Sequence, residues 1–268
     1  MTQVFDAKNL RKTVLDMAFS GATVHIGCAF SIIEILAVLY RNHLRFHDDT
    51  PADPNRDYIV LSKGHGVMAQ YACLHEKGWL SSEDIKNYFK NGTQLKGLAD
   101  AHVPGVEVTS GSLGHGFSVG VGMAYGAQRR ETNQMCYVIV GDGEINEGSI
   151  WEAALFASHF KLDNLIVVVD ENGFQAMGST EEVLKLGNIM EKFIAFGFES
   201  IQLDGHNESQ INDAIHQLKS KKNGKPKAII AKTVKGKGIS FMENNNIWHY
   251  TRLSSETYAA AMAELEEK

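Results

Sequence analysis

The stretch IVGDGEINEG, Ile139 to Gly148, closes an apolar run with a carboxylate set between two glycines. CYVIV (136–140) reads as a buried strand and SIWEAALFASHF (149–160) as the helix that follows it. A helix start after a glycine turn presents free N–H groups and the positive end of the helix dipole, a setting that suits phosphate. An acid there repels phosphate unless a cation lies between them, so Asp142 points to a metal ion.

Outward from this stretch, strand and helix alternate. DYIVLS (57–62), LIVVVD (165–170), AFGFESIQLD (195–204) and KAIIAKTV (227–234) read as further strands. Helical spacing marks LRKTVLDMAF (10–19), SIIEILAVLY (31–40), HGVMAQYACLHEKG (65–78), SSEDIKNYFK (81–90), MEKFIAFG and SQINDAIHQLKS, and the tail at 254–268 is one more helix with an acidic end. Several strands are apolar without alternation, so both sheet faces are covered. The expected fold is α/β: one domain over residues 1–268, three layers (α/β/α), with a mostly parallel sheet.

Ligands of open parallel sheets collect beyond the carboxyl ends of the strands. Asp142 follows one strand, and the DEN of residues 170–172 ends the next, with Gly173 turning the chain. Asp142 and Asn172 are 30 residues apart, the length of one strand–helix–strand crossover, so neighbouring strand ends bring their oxygens to one ion. One carboxylate and one amide suit Mg²⁺ completed by ligand phosphates and water, with the backbone carbonyl of Phe174 as a third protein ligand. A dinucleotide fingerprint fails because Asn146 stands where the third glycine belongs, and the sequence holds no G-x-x-x-x-G-K-S/T loop.

The net charge of −6 and a pI near 6.0 give no basic footprint for nucleic acid. The three cysteines, Cys28, Cys73 and Cys136, form no metal-spaced pair and read as reduced thiols. The first residues lack the pattern of a signal peptide, and no run approaches the roughly 20 apolar residues of a membrane span. A cytoplasmic protein with a small-molecule ligand and no membrane contact is expected.

GDG (141–143) followed by DEN (170–172) resembles the metal–diphosphate motif of thiamine diphosphate enzymes. HIG (25–27), LSKGHG (61–66), GVEVTSGSLGHG (105–116), LDGHN (203–207) and KTVKGKG (232–238) are similar to transketolase segments in transketolase order. The resemblance spans nearly the whole chain but only the N-terminal, diphosphate-binding half of a transketolase. It therefore implies the thiamine diphosphate-binding fold and one subunit of a split enzyme. A C-terminal subunit with the pyrimidine-binding domain would supply the glutamate that activates the cofactor, most simply in a heterotetramer.

The same resemblance implies a ketol transfer between sugars, with thiamine diphosphate and Mg²⁺, or another divalent cation such as Ca²⁺ or Mn²⁺, as cofactors. Asp142, Asn172 and the Phe174 carbonyl would hold the metal, and Gly141 and Gly143 would admit the diphosphate. His65 and His206 would lie near the diphosphate and the reacting carbon, and His25 near the donor sugar. Gly111 and Leu113 would meet the aminopyrimidine, while Glu147 and Glu152 match interface acids. His43, His47, His75, His159 and His216 read as structural or surface residues, and His102, His115 and His249 stay open.

Two departures matter. HIG lacks the proline of the family's HPG, and GLADAHVPG places Leu98 where the family's GHPD carries a histidine, which leaves the donor open between the usual pentulose phosphate and another phosphorylated, sulfonated or unusual ketose. Two other functions stay open: a synthase that takes a 2-oxo acid donor, and a non-catalytic cofactor-binding module.

Overall fold

The computed structural model describes residues 4–21, 24–46 and 50–267; His47 lies outside them. β1 (Tyr58–Leu61), β2 (Cys136–Gly141) and β3 (Leu165–Glu171) come first, then a short antiparallel hairpin of β4 (Phe174–Gln175) and β5 (Gly178–Ser179). β6 (Glu199–Asp204) and β7 (Lys227–Lys232) follow. β1, β2, β3, β7 and β6, in that spatial order, form one sheet in which every pair is parallel.

The helices are α1 (Ala7–Ser20), α2 (Ile26–Phe30), α3 (Ile33–Val38), α4 (Val67–Glu76), α5 (Ser82–Lys86) and α6 (His115–Arg129). Then come α7 (Gly148–His159), α8 (Thr180–Val183), α9 (Ile189–Ala195), α10 (Glu208–Ser220) and α11 (Ser255–Glu267). Alternate strand residues divide between two cores. Tyr137, Ile139, Ile166, Val168 and Ile229 pack with α1, α3, α4, α10 and α11. Val138, Val140, Val167, Val169 and Ile230 pack with α6, α7 and α9 on the opposite face. Both faces are covered, so the strands are apolar throughout and the domain has three layers.

α6 is a helix of small residues because it lies hard against the sheet: a Cβ on Gly120 would come within 2.5 Å of Val138 Cγ2. Two expectations change, and one element is added. The segment 81–90 is helical only over α5, whose Ser81 and Asp84 form a capping box, and Phe89 then turns into the left-handed region. Residues 195–198 are not strand, because α9 ends at Ala195 and Gly197 at φ +90° turns the chain into β6. The β4–β5 hairpin is too short to leave a periodic signal. All three cysteines are free and buried, and among the described residues no helix is long and apolar enough to cross a membrane.

Candidate functional site

The carboxyl ends of the sheet strands assemble the site. In the register, Leu61 pairs with Ile139, Gly141 with Asp170, and Asp170 with Ala231, so the segments after β1, β2, β3 and β7 emerge side by side. A cleft of about 690 Å³ opens there. His25, His65, Gly111, Leu113, Gly141, Asp142, Gly143, Glu147, Asn172 and Phe174, all expected at a site from the sequence, line it together.

Asp142 is buried and accepts hydrogen bonds from the N–H groups of Gly143 (2.7 Å) and Gly173 (2.6 Å). Burial, with the Asp170 carboxylate nearby, still pushes its carboxyl up to about 7. A carboxylate so poorly compensated is one that a divalent cation would stabilise. Asn172 donates to Asp170 Oδ2 (2.8 Å), and its Oδ1 accepts from the Phe174 N–H (3.1 Å), which fixes the amide oxygen toward the β4 turn. Among the described residues no group of three His, Cys, Asp or Glu side chains could hold a metal. A hard cation at Asp142 and Asn172 therefore needs ligands from outside the chain, as Mg²⁺ takes from phosphates and water.

Beneath this pair, Asp170 is the fully buried hub. It receives Ser31 Oγ (2.8 Å), Asn172 Nδ2, Thr233 Oγ1 and the ammonium of Lys63, itself buried. Burial alone would raise the Asp170 carboxyl, but the Lys63 charge and these hydrogen bonds hold it below the ordinary carboxylate range. Glu144 is a second buried carboxylate: it receives Ser62 Oγ (2.5 Å) and the N–H groups of Gly114 (2.8 Å) and Gly141 (3.1 Å), tying three loops together.

Three imidazoles face one another across the cleft. The ring centres of His25 and His65 are 5.3 Å apart, those of His25 and His249 5.4 Å, and those of His65 and His249 5.6 Å. Trp248 is buried against Phe241, and Val24 bridges to Thr251, so the loop delivers His249 beside His25. Lys235, fully buried, donates to Asn246 Oδ1 (2.8 Å) and His249 Nδ1 (2.7 Å). Burial and then the Lys235 and Lys63 ammoniums lower His25 to about 4, and burial and Lys235 lower His249 to about 3. His65 moves in the same direction, first through burial and then through Lys63.

The folded chain thus binds fewer protons at these rings than the unfolded chain does. Stability present above the unfolded value of 6.5 is lost as pH falls toward the folded values. In an NMR titration the His25 and His249 ring protons should show neutral shifts down to about pH 5. A midpoint near the ordinary histidine value of 6.5 would show that the cleft is wetter than its geometry.

His206 departs from expectation. Its ring lies outside the cleft lining, because Nε2 accepts from the Val234 N–H (2.8 Å) and Nδ1 faces the Glu34 carboxylate (3.0 Å). Burial alone would raise Glu34; hydrogen bonds from His206 and Arg11 instead bring it down to about 2. Both ring nitrogens are thereby used to hold the chain that leads to Lys235. Sequence reasoning missed the inward placement of His249 and gave no role to Lys63, Asp170, Glu144 or Lys235. The charged residues that follow apolar strands at 63, 170 and 235 were the available signal. His102 is exposed beside Asp100, and His115 is exposed at the start of α6, so neither enters the cleft. Glu147 and Glu152 are exposed at the start of α7.

An open α/β domain with phosphate-suited turns, a buried acid and amide at adjacent strand ends, and three imidazoles around one cleft has the features of a diphosphate-binding protein. The family described as "Transketolase, thiamine diphosphate binding domain" matches residues 5–266, and the chain belongs to it. It is 39% identical over 260 residues to an apulose-4-phosphate transketolase subunit of Phocaeicola vulgatus, covering 96% of this chain and 92% of the relative. It is 41% identical over 263 residues to 6-deoxy-6-sulfo-D-fructose transketolase subunit SqwG of a Clostridium species, covering 98% and 95%. The crystal structure of transketolase from Campylobacter jejuni superimposes with a TM-score of 0.91 at 33% identity, covering 97% of this chain and 42% of that one. The chain therefore spans about two fifths of that transketolase and nearly all of each subunit-length relative.

Proposed function

We propose that the chain is the diphosphate-binding subunit of a two-component, thiamine diphosphate- and Mg²⁺-dependent transketolase, transferring a two-carbon ketol unit from an anionic ketose to an aldose. The observation that carries this is the pairing of Asp142 and Asn172 at the ends of β2 and β3, in a chain as long as relatives named transketolase subunits. The phosphate and the sulfo group in those relatives' names support an anionic donor.

Bound thiamine diphosphate supplies the electron sink for carbon–carbon cleavage. Asp142, Asn172 Oδ1 and the Phe174 carbonyl would hold Mg²⁺, or Ca²⁺ or Mn²⁺ in its place, while Gly141 and Gly143 would let the diphosphate approach. A Cβ on Gly143 would come within 2.8 Å of Gln175 Cγ, so that turn has no room for a larger residue. The buried Lys63 and Lys235 ammoniums would add positive charge near the diphosphate, and Gly111 and Leu113 of the cleft lining would meet the aminopyrimidine. His25, His65 and His249, neutral in the cleft, accept and return protons at the sugar hydroxyls. His206 acts as a positioning residue through Val234.

One domain carries this machinery, and the site is completed by a partner subunit with a pyrimidine-binding domain. Exposed Met177 and Leu184 at the cleft support such a cover. A second apolar face, Val119 on α6 with Leu155 and Phe156 on α7, beside Glu152, supports pairing of two such halves into a heterotetramer. Three free cysteines support a reducing, cytoplasmic setting. Offered a ketose phosphate and pyruvate as alternative donors, the complex should consume the ketose and release the shortened aldose. Consumption of pyruvate alone would favour the 2-oxo acid synthase instead.

A further inference from the structure

Beside the cofactor cleft lies a second cavity of about 340 Å³, at the lower end of the range for small-molecule sites. The two share His25 and Leu98, so the second adjoins the first at His25. Its walls are Phe89, Leu98, Val24 and the ring of Tyr250, which packs on His25 at 4.6 Å. Lys96 brings a fixed charge to this lining; the ammonium reaches the Thr93 carbonyl at 2.8 Å and stays exposed.

The apolar wall is built at a cost. Phe89 is held at φ +57°, a conformation that bulky residues rarely adopt, and its N–H bonds the Leu95 carbonyl at 3.1 Å. Its ring lies against Gly97, where a Cβ would come within 2.9 Å of it, and Leu98 lies over Gly111, where a Cβ would come within 2.8 Å. Leu98 and Phe89 nevertheless remain 42% and 41% exposed. A strained aromatic and an exposed leucine, each seated on a glycine and facing one cavity, are placed for an occupant and not for the core.

We propose that this cavity is a donor subsite carried by the chain itself. It takes the part of an anionic ketose beyond the bond that breaks, with Leu98 and Phe89 against a carbon bearing no hydroxyl and Lys96 toward the anionic end. It rests on the ketol transfer proposed above. A hydroxyl turned toward Leu98 and Phe89 loses its water and gains no partner from either side chain. A donor with a bare carbon there is favoured.

The test uses the complex of this chain with its partner subunit, Mg²⁺ and thiamine diphosphate, and two donors, fructose 6-phosphate and its 4-deoxy analogue. The deoxy donor should have a kcat/KM higher by roughly tenfold or more. Leu98→Asn should bring that ratio toward one, and Leu98→Met, which keeps the apolar wall, should preserve it. Lys96→Met should raise KM for both phosphorylated donors up to about fivefold, with kcat little changed. Equal kcat/KM for the two donors, or a preference that Leu98→Asn leaves untouched, overturns the subsite while the ketol transfer stands. No transfer from either donor removes the function and the subsite together.

Discussion

Asp142→Asn should weaken Mg²⁺ binding by the chain in the presence of thiamine diphosphate at least roughly tenfold, and thiamine diphosphate binding should fall with it. The substitution keeps the shape of the side chain and removes the charged ligand. It also has an opposite effect on the metal-free protein. The Asp142 carboxyl is raised to about 7 by burial and by Asp170, so the folded chain holds a proton that the unfolded chain has lost. Stability from this group is full below the unfolded value of 3.8 and drains away as pH rises through about 7. Metal-free Asp142→Asn should therefore melt no lower than the parent at pH 8, and Mg²⁺ with thiamine diphosphate should raise the melting temperature of the parent more than that of the variant. Calorimetric titration and thermal melts with and without Mg²⁺ read both effects. An unchanged Mg²⁺ affinity would take Asp142 out of the metal site.

The second large effect is structural. Lys63→Met should destabilise the chain by about 3–5 kcal/mol, because it leaves Asp170 as an uncompensated charge in a fully buried position. The Lys63 ammonium also bonds the Cys28 carbonyl at 3.1 Å, which ties α2 to the strand ends. The double variant Lys63→Met, Asp170→Asn removes both charges and should recover most of the loss. Urea unfolding monitored by circular dichroism measures each step. A loss below about 1 kcal/mol for the single variant would mean that water reaches the Lys63–Asp170 pair.

Much of the site was legible because its key residues follow apolar strands. Asp142 and Asn172 sit one crossover apart, and a parallel sheet converts that spacing into adjacency. His249 could not be placed this way: its position depends on Trp248 packing against Phe241 and on a bridge from Val24 to Thr251, which joins segments far apart in the chain. His206 shows the converse. It follows a strand end and a glycine as a site residue would, yet its partner is Glu34, 172 positions away, and that contact turns the ring from the cleft. Glu144 drew no reading from the sequence, and only the assembled fold makes it the knot between Ser62, Gly114 and Gly141.

The most direct test of the central claim is ketol transfer from a ketose phosphate to an aldose, measured for this chain alone and for its complex with the pyrimidine-binding subunit, both in Mg²⁺ and thiamine diphosphate. The expected result is transfer by the complex and essentially none by the chain alone. Robust transfer by the chain alone, or none by the complex with any ketose, would contradict it.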